Sequence, residues 1–367
     1  MRSLLLLALA GLSFHATALD PEELRVAKAE TEQPSLLTPL ASVAQPLKDK
    51  LGAAPTSEQL QAAGHQLWRQ AVTLAQSELS DDRPLYWNRL WLRRALKQQG
   101  MQDEQLTELE RASRGIDDIN FDQNADVRIL ITGFDPFFLD RYLHQSNPSG
   151  LAALQLDNQV LTRNGRRAEI EAAMIPVRFE DFDQGMIEAL LTPYLTTHKV
   201  DMVVTISMGR EHFDLERFPG LNRSAKAPGN RNIFTGATHE QPLPPRLMGE
   251  ELAGPQFVEF SLPVHAMQQV QGRWQVKDNR QVQTLEQGQF AAENLGQLAG
   301  QTSVEGSGGG YLSNEISYRA ILLGQQLNPD IAIGHIHTPA VRGYEADTEE
   351  AIVAQIRAML TQAIGAL

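Results

Sequence analysis

Residues 127–132 read "VRILIT", a run in which four of six side chains are Val, Ile or Leu and which is closed by Gly133. Branched apolar residues pack well on a pleated surface, so a short run of this kind ending in glycine predicts a strand buried on both faces. Three further runs share the texture: "AEIEAAMIPV" at 168–177, "VDMVVTIS" at 200–207 and "DIAIGHIH" at 330–337. Helical patterns at 182–191 and 313–327 separate them. Ile352, Ile356, Leu360, Ala363 and Leu367 form one stripe and predict a closing helix packed on the sheet. Strand and helix alternating in this way predict an α/β domain over residues 121–367, with a mostly parallel sheet flanked by helices.

Upstream the texture differs. Helices are predicted from Ser57-Glu58 through Leu60, Leu67, Val72 and Leu74, from Asp82-Arg83-Pro84 onward, and at 102–112, with Trp68, Trp87 and Trp91 as packing residues. Residues 19–55 are rich in Pro, Ala and Glu without clear periodicity and read as extended or loosely ordered, so residues 19–120 form a mainly helical N-terminal extension. The start, "MRSLLLLALAGLSFHATALD", joins Arg2, a short apolar run and Ala16-Thr17-Ala18, the order that a secretory leader over residues 1–18 requires. A membrane anchor needs about 20 apolar residues, and His15 interrupts this one. The expected location is periplasmic or secreted, which an absence of cysteine fits. A net charge of −13 opposes nucleic acid and anionic lipid, so neither is an expected partner once the leader is removed.

Ligand sites in open parallel sheets gather at the carboxyl ends of strands. Three polar stretches lie at predicted strand ends: "GFDPF" (133–137), "GREHFDLER" (209–217) and "GHIHTP" (334–339). Each alone also suits a turn, a solvated loop or a packed histidine. A fourth stretch, "GSGGGYLSNEISY" (306–318), precedes a helix and lacks the lysine of a phosphate loop. Ser313 there sits near a helix start, where unpaired amides stabilise a developing oxyanion. Serine needs a base, which His337 could supply, with Glu216 or Asp214 to orient it. His335 and His337 would also face one side of a strand and could share zinc, but no fixed-spacing ligand set accompanies them; no metal or cofactor is expected.

Taken in order, "TGFDPF", "NPSG" (147–150), "GREHFDLERF", "SLPVHAM", "GGGYLSNEISY" and "GHIHTP" resemble the motifs of pyroglutamyl peptidase type I, or pyrrolidone-carboxylate peptidase. The resemblance covers residue 127 to the C-terminus. It implies a three-layer α/β/α sandwich and a Glu, Cys, His set that removes N-terminal pyroglutamate from peptides. Carried over, Glu216 and His337 match the family's glutamate and histidine, and Ser313 stands at the cysteine position. Phe134, Phe137, Tyr311 and Asn147 match the substrate pocket. The family's longer Gly-Gln-Ala-Gly-Gly-Arg loop is here only "SMGR", with Met208 at the glutamine's place. The implied activity is an exported hydrolase acting on a peptide or small cyclic amide through Ser313, His337 and Glu216. The alternative is an inactive member that binds such a ligand in the periplasm. The family forms homo-oligomers, so self-association is a further expectation.

Overall fold

The computed structural model describes residues 18–77, 79–197 and 199–367, so nearly all of the expected leader lies outside the described residues. Helices α1 (Pro21–Glu32), α2 (Thr38–Leu51), α3 (Ser57–Ser77), α4 (Arg83–Gln98) and α5 (Thr107–Ala112) come first. The α/β region then runs β1 (Val127–Phe134), α6 (Pro148–Leu156), β2 (Gln159–Arg163), β3 (Arg166–Ile175), α7 (Phe179–Asp183), α8 (Met186–Thr196), β4 (Met202–Met208) and β5 (Phe213–Glu216). It continues through β6 (Arg246–Leu247), β7 (Glu250–Glu251), α9 (Val264–Met267), β8 (Val276–Asn279), β9 (Gln281–Thr284), β10 (Gly288–Ala291) and β11 (Ser303–Glu305). It closes with α10 (Leu312–Leu327), β12 (Ala332–Thr338) and α11 (Ala346–Ile364).

The main sheet has the order β2-β3-β1-β4-β12-β5-β8. Its centre, β3-β1-β4-β12, is parallel, whereas β2 and β5 each join antiparallel to their inner neighbour. α6 and α11 pack together on one side, and α8 and α10 on the other. This is the expected α/β/α sandwich. The stretch "GREHFDLER", which taken alone suited a solvated loop, instead contributes β5, buried along its length. β9, β10 and β11 form a separate small sheet inside the long segment between Glu216 and Ser313.

The reading of residues 19–55 as extended is overturned by α1 and α2. Asp20 and Glu23 form a reciprocal capping box with Pro21 in the first turn of α1, and α2 opens on Thr38-Pro39. Few apolar residues mark these helices, yet those present lie on one face: Val26 and Ala29 in α1, and Leu40, Ala44, Leu47 and Leu51 in α2 are buried. Packing on the neighbouring helices supplies the stability that the weak pattern conceals.

The helical layer is tied to the sheet by buried polar contacts. Trp68 Nε1 donates to Asp157 at 3.2 Å, and the Ala172 amide donates to the other oxygen at 3.0 Å. Burial pushes the Asp157 carboxyl up to about 7; burial and then the Asp157 charge push Glu171 up to about 8. Both folded values exceed the unfolded ones, so the folded state holds these protons more tightly. Their stabilisation is complete below about pH 4 and is lost as pH rises through 7 to 8, by up to about 1.4 kcal/mol per pH unit for each group. Glu171→Gln removes one such charge. Its urea midpoint is expected to exceed that of the parent protein at pH 9 by more than at pH 5, and an equal offset at both would contradict this.

Candidate active site

The carboxyl ends of β1, β4 and β12 face the start of α10. His335 is in register with Thr205 and His337 with Ser207, so these four side chains share the sheet face on which α10 lies. His337 Nδ1 lies 2.5 Å from Glu216 Oε1, and both residues are buried. The other Glu216 oxygen accepts from Asn279 Nδ2 at 2.8 Å. Asp214, the other candidate for the acidic member, makes no hydrogen bond to either histidine among the described residues and lies 3.8 Å from Arg210. Gly209 passes against the imidazole: a Cβ there would come within 2.6 Å of the His337 Cβ, so any larger residue would displace the histidine.

The glycine loop is neither a linker nor a phosphate cradle. At Gly306 a Cβ would come 2.1 Å from Asn314 Oδ1 and 2.2 Å from the Gly220 amide, a close approach that only glycine allows. The Asn314 side chain accepts from the Gly220 amide and donates to its carbonyl, which clamps the first turn of α10 to the chain beyond β5. Two successive carbonyls of the loop then serve the two halves of the site. Ser307 O accepts from Asn279 Nδ2 at 2.9 Å, the same amide that holds Glu216. Gly308 O accepts from Ser313 Oγ at 3.2 Å. Ser313 makes that bond and none to the His337 imidazole. No side chain caps α10; Tyr311 O takes the Asn314 and Glu315 amides, and the Leu312 and Ser313 amides have no bond among the described residues.

Ser313 opens onto a cavity of about 40 Å³, whose walls include Phe134, Phe137, Asn147, Met208 and Tyr311. Every residue expected of the substrate pocket therefore lies on this cavity. A space of this size holds a water or two, so an organic ligand enters only as a wall moves. Much of the polar lining is already committed. Asn147 caps α6, accepting from Ser149 and donating to Asp135 O at 3.0 Å; Tyr311 donates its hydroxyl to Pro228 O at 2.7 Å. Asn147 thus shapes the wall through its fold rather than by a free amide.

Sequence reasoning missed Asn279, Ser207 and Thr205. Asn279 lies in the expanded segment, where no local pattern separates it from the polar residues around it. Ser207 and Thr205 were visible as alternate residues on a strand, but only pairing with β12 gives them histidine partners. Among the described residues no group of three metal-ligating side chains is close enough to hold an ion, so the two histidines lack a third ligand.

Residues 128–297 and 297–342 match the family model described as PA0049, C-terminal domain, and residues 10–114 match the one described as PA0049 N-terminal domain. The chain belongs to the PA0049 family. A relative from Pseudomonas aeruginosa, "Uncharacterized protein PA0049", is 28% identical over 410 residues, covering 84% of this chain and 72% of that protein. Among solved structures, a mutant pyrrolidone carboxyl peptidase from Pyrococcus furiosus covers 66% of this chain and 100% of its own at 17% identity, with a TM-score of 0.44. Pyroglutamyl peptidase I from Bacillus amyloliquefaciens covers 65% of this chain and 92% of its own at 20% identity, with a TM-score of 0.41. Both parts of the PA0049 family are thus represented here, the helical layer by the N-terminal match and the α/β region by the C-terminal one.

Proposed function

We propose that this PA0049-family chain hydrolyses the amide bond following a small cyclic N-terminal residue of the pyroglutamyl kind, with Ser313 as nucleophile. The observation that carries the reading is the buried His337–Glu216 pair, anchored by Asn279 through the same loop that holds Ser313. Ser313 Oγ attacks the carbonyl carbon while His337 Nε2 takes its proton, and Glu216 stabilises the imidazolium that results. The Leu312 and Ser313 amides at the start of α10 hold the oxyanion. His337 then returns the proton to the departing amine, leaving an ester on Ser313 that water cleaves by the same relay in reverse. A rotation of Ser313 away from Gly308 must come first, because its hydroxyl proton is directed there at rest.

The ordered resemblance of the six motifs supports the pyroglutamyl class. The leader-like residues 1–18 support action outside the cytoplasm, and no helix among the described residues is long and apolar enough to cross a membrane. Mature protein beginning at Leu19 would be the expected product, read by mass spectrometry of the exported chain.

The Ser313 to Gly308 bond also favours a second reading, a binding protein that keeps the pocket and lacks the chemistry. Purified protein given a pyroglutamyl anilide separates the two. Steady, catalytic release of the aniline is expected for the hydrolase. Thermal stabilisation by pyroglutamate without turnover would instead establish the binding reading.

A further inference from the structure

At the cavity wall Ser207 is bonded to a histidine that the proposed chemistry leaves unused. Ser207 Oγ lies 2.7 Å from His335 Nε2, and His335 Nδ1 lies 2.8 Å from Thr205 Oγ1, which in turn donates to Gly334 O at 3.3 Å. Thr205 and His335 are fully enclosed, whereas Ser207 reaches the cavity beside Met208 and Ser313.

The chain of bonds has a direction. A backbone carbonyl only accepts, so the tautomer in which all three contacts are hydrogen bonds has the Thr205 proton on Gly334 and its oxygen accepting from His335 Nδ1–H. Burial and the neighbouring His337 hold the His335 pKa well below its usual value, so the ring is neutral and carries that single proton. Its bare Nε2 then accepts the Ser207 proton. Ser207 Oγ is left showing lone pairs alone to the cavity. Asn147 Oδ1 already accepts twice, from the Ser149 amide and hydroxyl, while Ser313 and Tyr311 send their protons to backbone carbonyls; Ser207 differs from those two hydroxyls in that a buried side-chain relay, His335 and Thr205, fixes its proton.

Ser207 is poorly suited to be the nucleophile itself. A proton passed to His335 would create a buried cation beside His337 with no carboxylate bonded to it, whereas His337 has Glu216.

We infer that Ser207 is a specificity residue, its oxygen held as an acceptor by His335 and Thr205 so that it takes an N–H of the substrate beside the scissile carbonyl. The ligand class is a lactam or amide bearing that N–H, in preference to an isosteric lactone or ester. The inference rests on the proposed function for the identity of the cavity and not on Ser313 as nucleophile.

The test compares a pyroglutamyl anilide with the anilide of its γ-lactone analogue, in which ring oxygen replaces N–H. The unaltered protein is expected to favour the lactam by at least about 100-fold in kcat/KM, as sites built to bond a substrate N–H do. Ser207→Ala is expected to cut that preference to below about 10-fold while leaving lactone turnover within a few-fold. Equal loss on both substrates, or an unchanged ratio, would overturn the inference.

Absence of turnover on either substrate defeats the hydrolase reading alone. The comparison is then made by calorimetry with pyroglutamate and the lactone acid, where equal affinity, no binding of either, or a preference that survives Ser207→Ala overturns the role of Ser207. Independently, ¹⁵N spectra at pH 7 are expected to show His335 protonated at Nδ1, and protonation at Nε2 would remove the basis for the acceptor.

Discussion

Ser313→Ala is expected to lower kcat/KM for a pyroglutamyl anilide by at least about 10³-fold, which corresponds to roughly 4 kcal/mol of lost transition-state stabilisation. The loss should fall on kcat rather than KM, because Phe134, Phe137 and Tyr311 still shape the cavity. Ser313→Cys supplies the companion measurement. The chain has no cysteine, so this variant carries a single thiol, and its alkylation can be followed by mass without a background. In the proposed relay His337 draws the proton from the thiol, which should then react with iodoacetamide faster than a free thiol does, and His337→Gln should abolish that excess. Glu216→Gln leaves the hydrogen bond to Asn279 possible but removes the charge that supports an imidazolium, so a loss intermediate between Ser313→Ala and the parent is expected. Unaltered turnover in Ser313→Ala would eliminate the nucleophile and with it the proposed reaction.

Asp135→Ala is expected to destabilise the fold by about 3–5 kcal/mol, read as a fall in the urea midpoint. Asp135 lies in "GFDPF", a stretch that sequence reading associates with the pocket. Its carboxylate, however, is turned toward the helical layer, where it receives Arg89 Nη2 at 2.6 Å and Arg114 Nη1 at 2.8 Å. All three side chains are at most 1% exposed, so removing the acid leaves the Arg89 guanidinium buried without a carboxylate and Arg114 with Glu110 alone. Asp135→Asn keeps one acceptor and should cost less. Because Asp135 O also receives the Asn147 amide, loss of the layer should loosen the cavity wall as well and raise KM before kcat falls. A midpoint unchanged in both variants would mean that the network contributes nothing to stability.

The four central strands were legible because a parallel sheet covered on both faces requires continuous apolar runs, and β1, β3, β4 and β12 all carry one. The edge was not. β5 and β8 are built from polar residues such as Asp214, Glu216, Lys277 and Asp278, and they are strands only because neighbours pair with them. The helices at 21–32 and 38–51 were obscured for a related reason: their apolar stripes are narrow, and their capping residues also occur in turns. In the candidate site, Ser313, His337 and Glu216 could be singled out by residue type and motif order. Asn279 could not, because an asparagine in a polar segment has no local signature until a carboxylate lies beside it.

The sequence by itself determined the layer architecture, since the alternation of apolar runs with helical stripes leaves few other ways to bury them. It also determined which oxygen and nitrogen atoms were available for chemistry, because side-chain identity sets nucleophilicity and basicity. Only the tertiary structure decided the partners. It bonded Glu216 rather than Asp214 to His337, directed Ser313 to Gly308, turned Asp135 to the helical layer and gave Ser207 a histidine. The physical reason is that hydrogen bonds act within about 3 Å, whereas these residues are separated by up to 128 positions and meet only once strands pair and loops close.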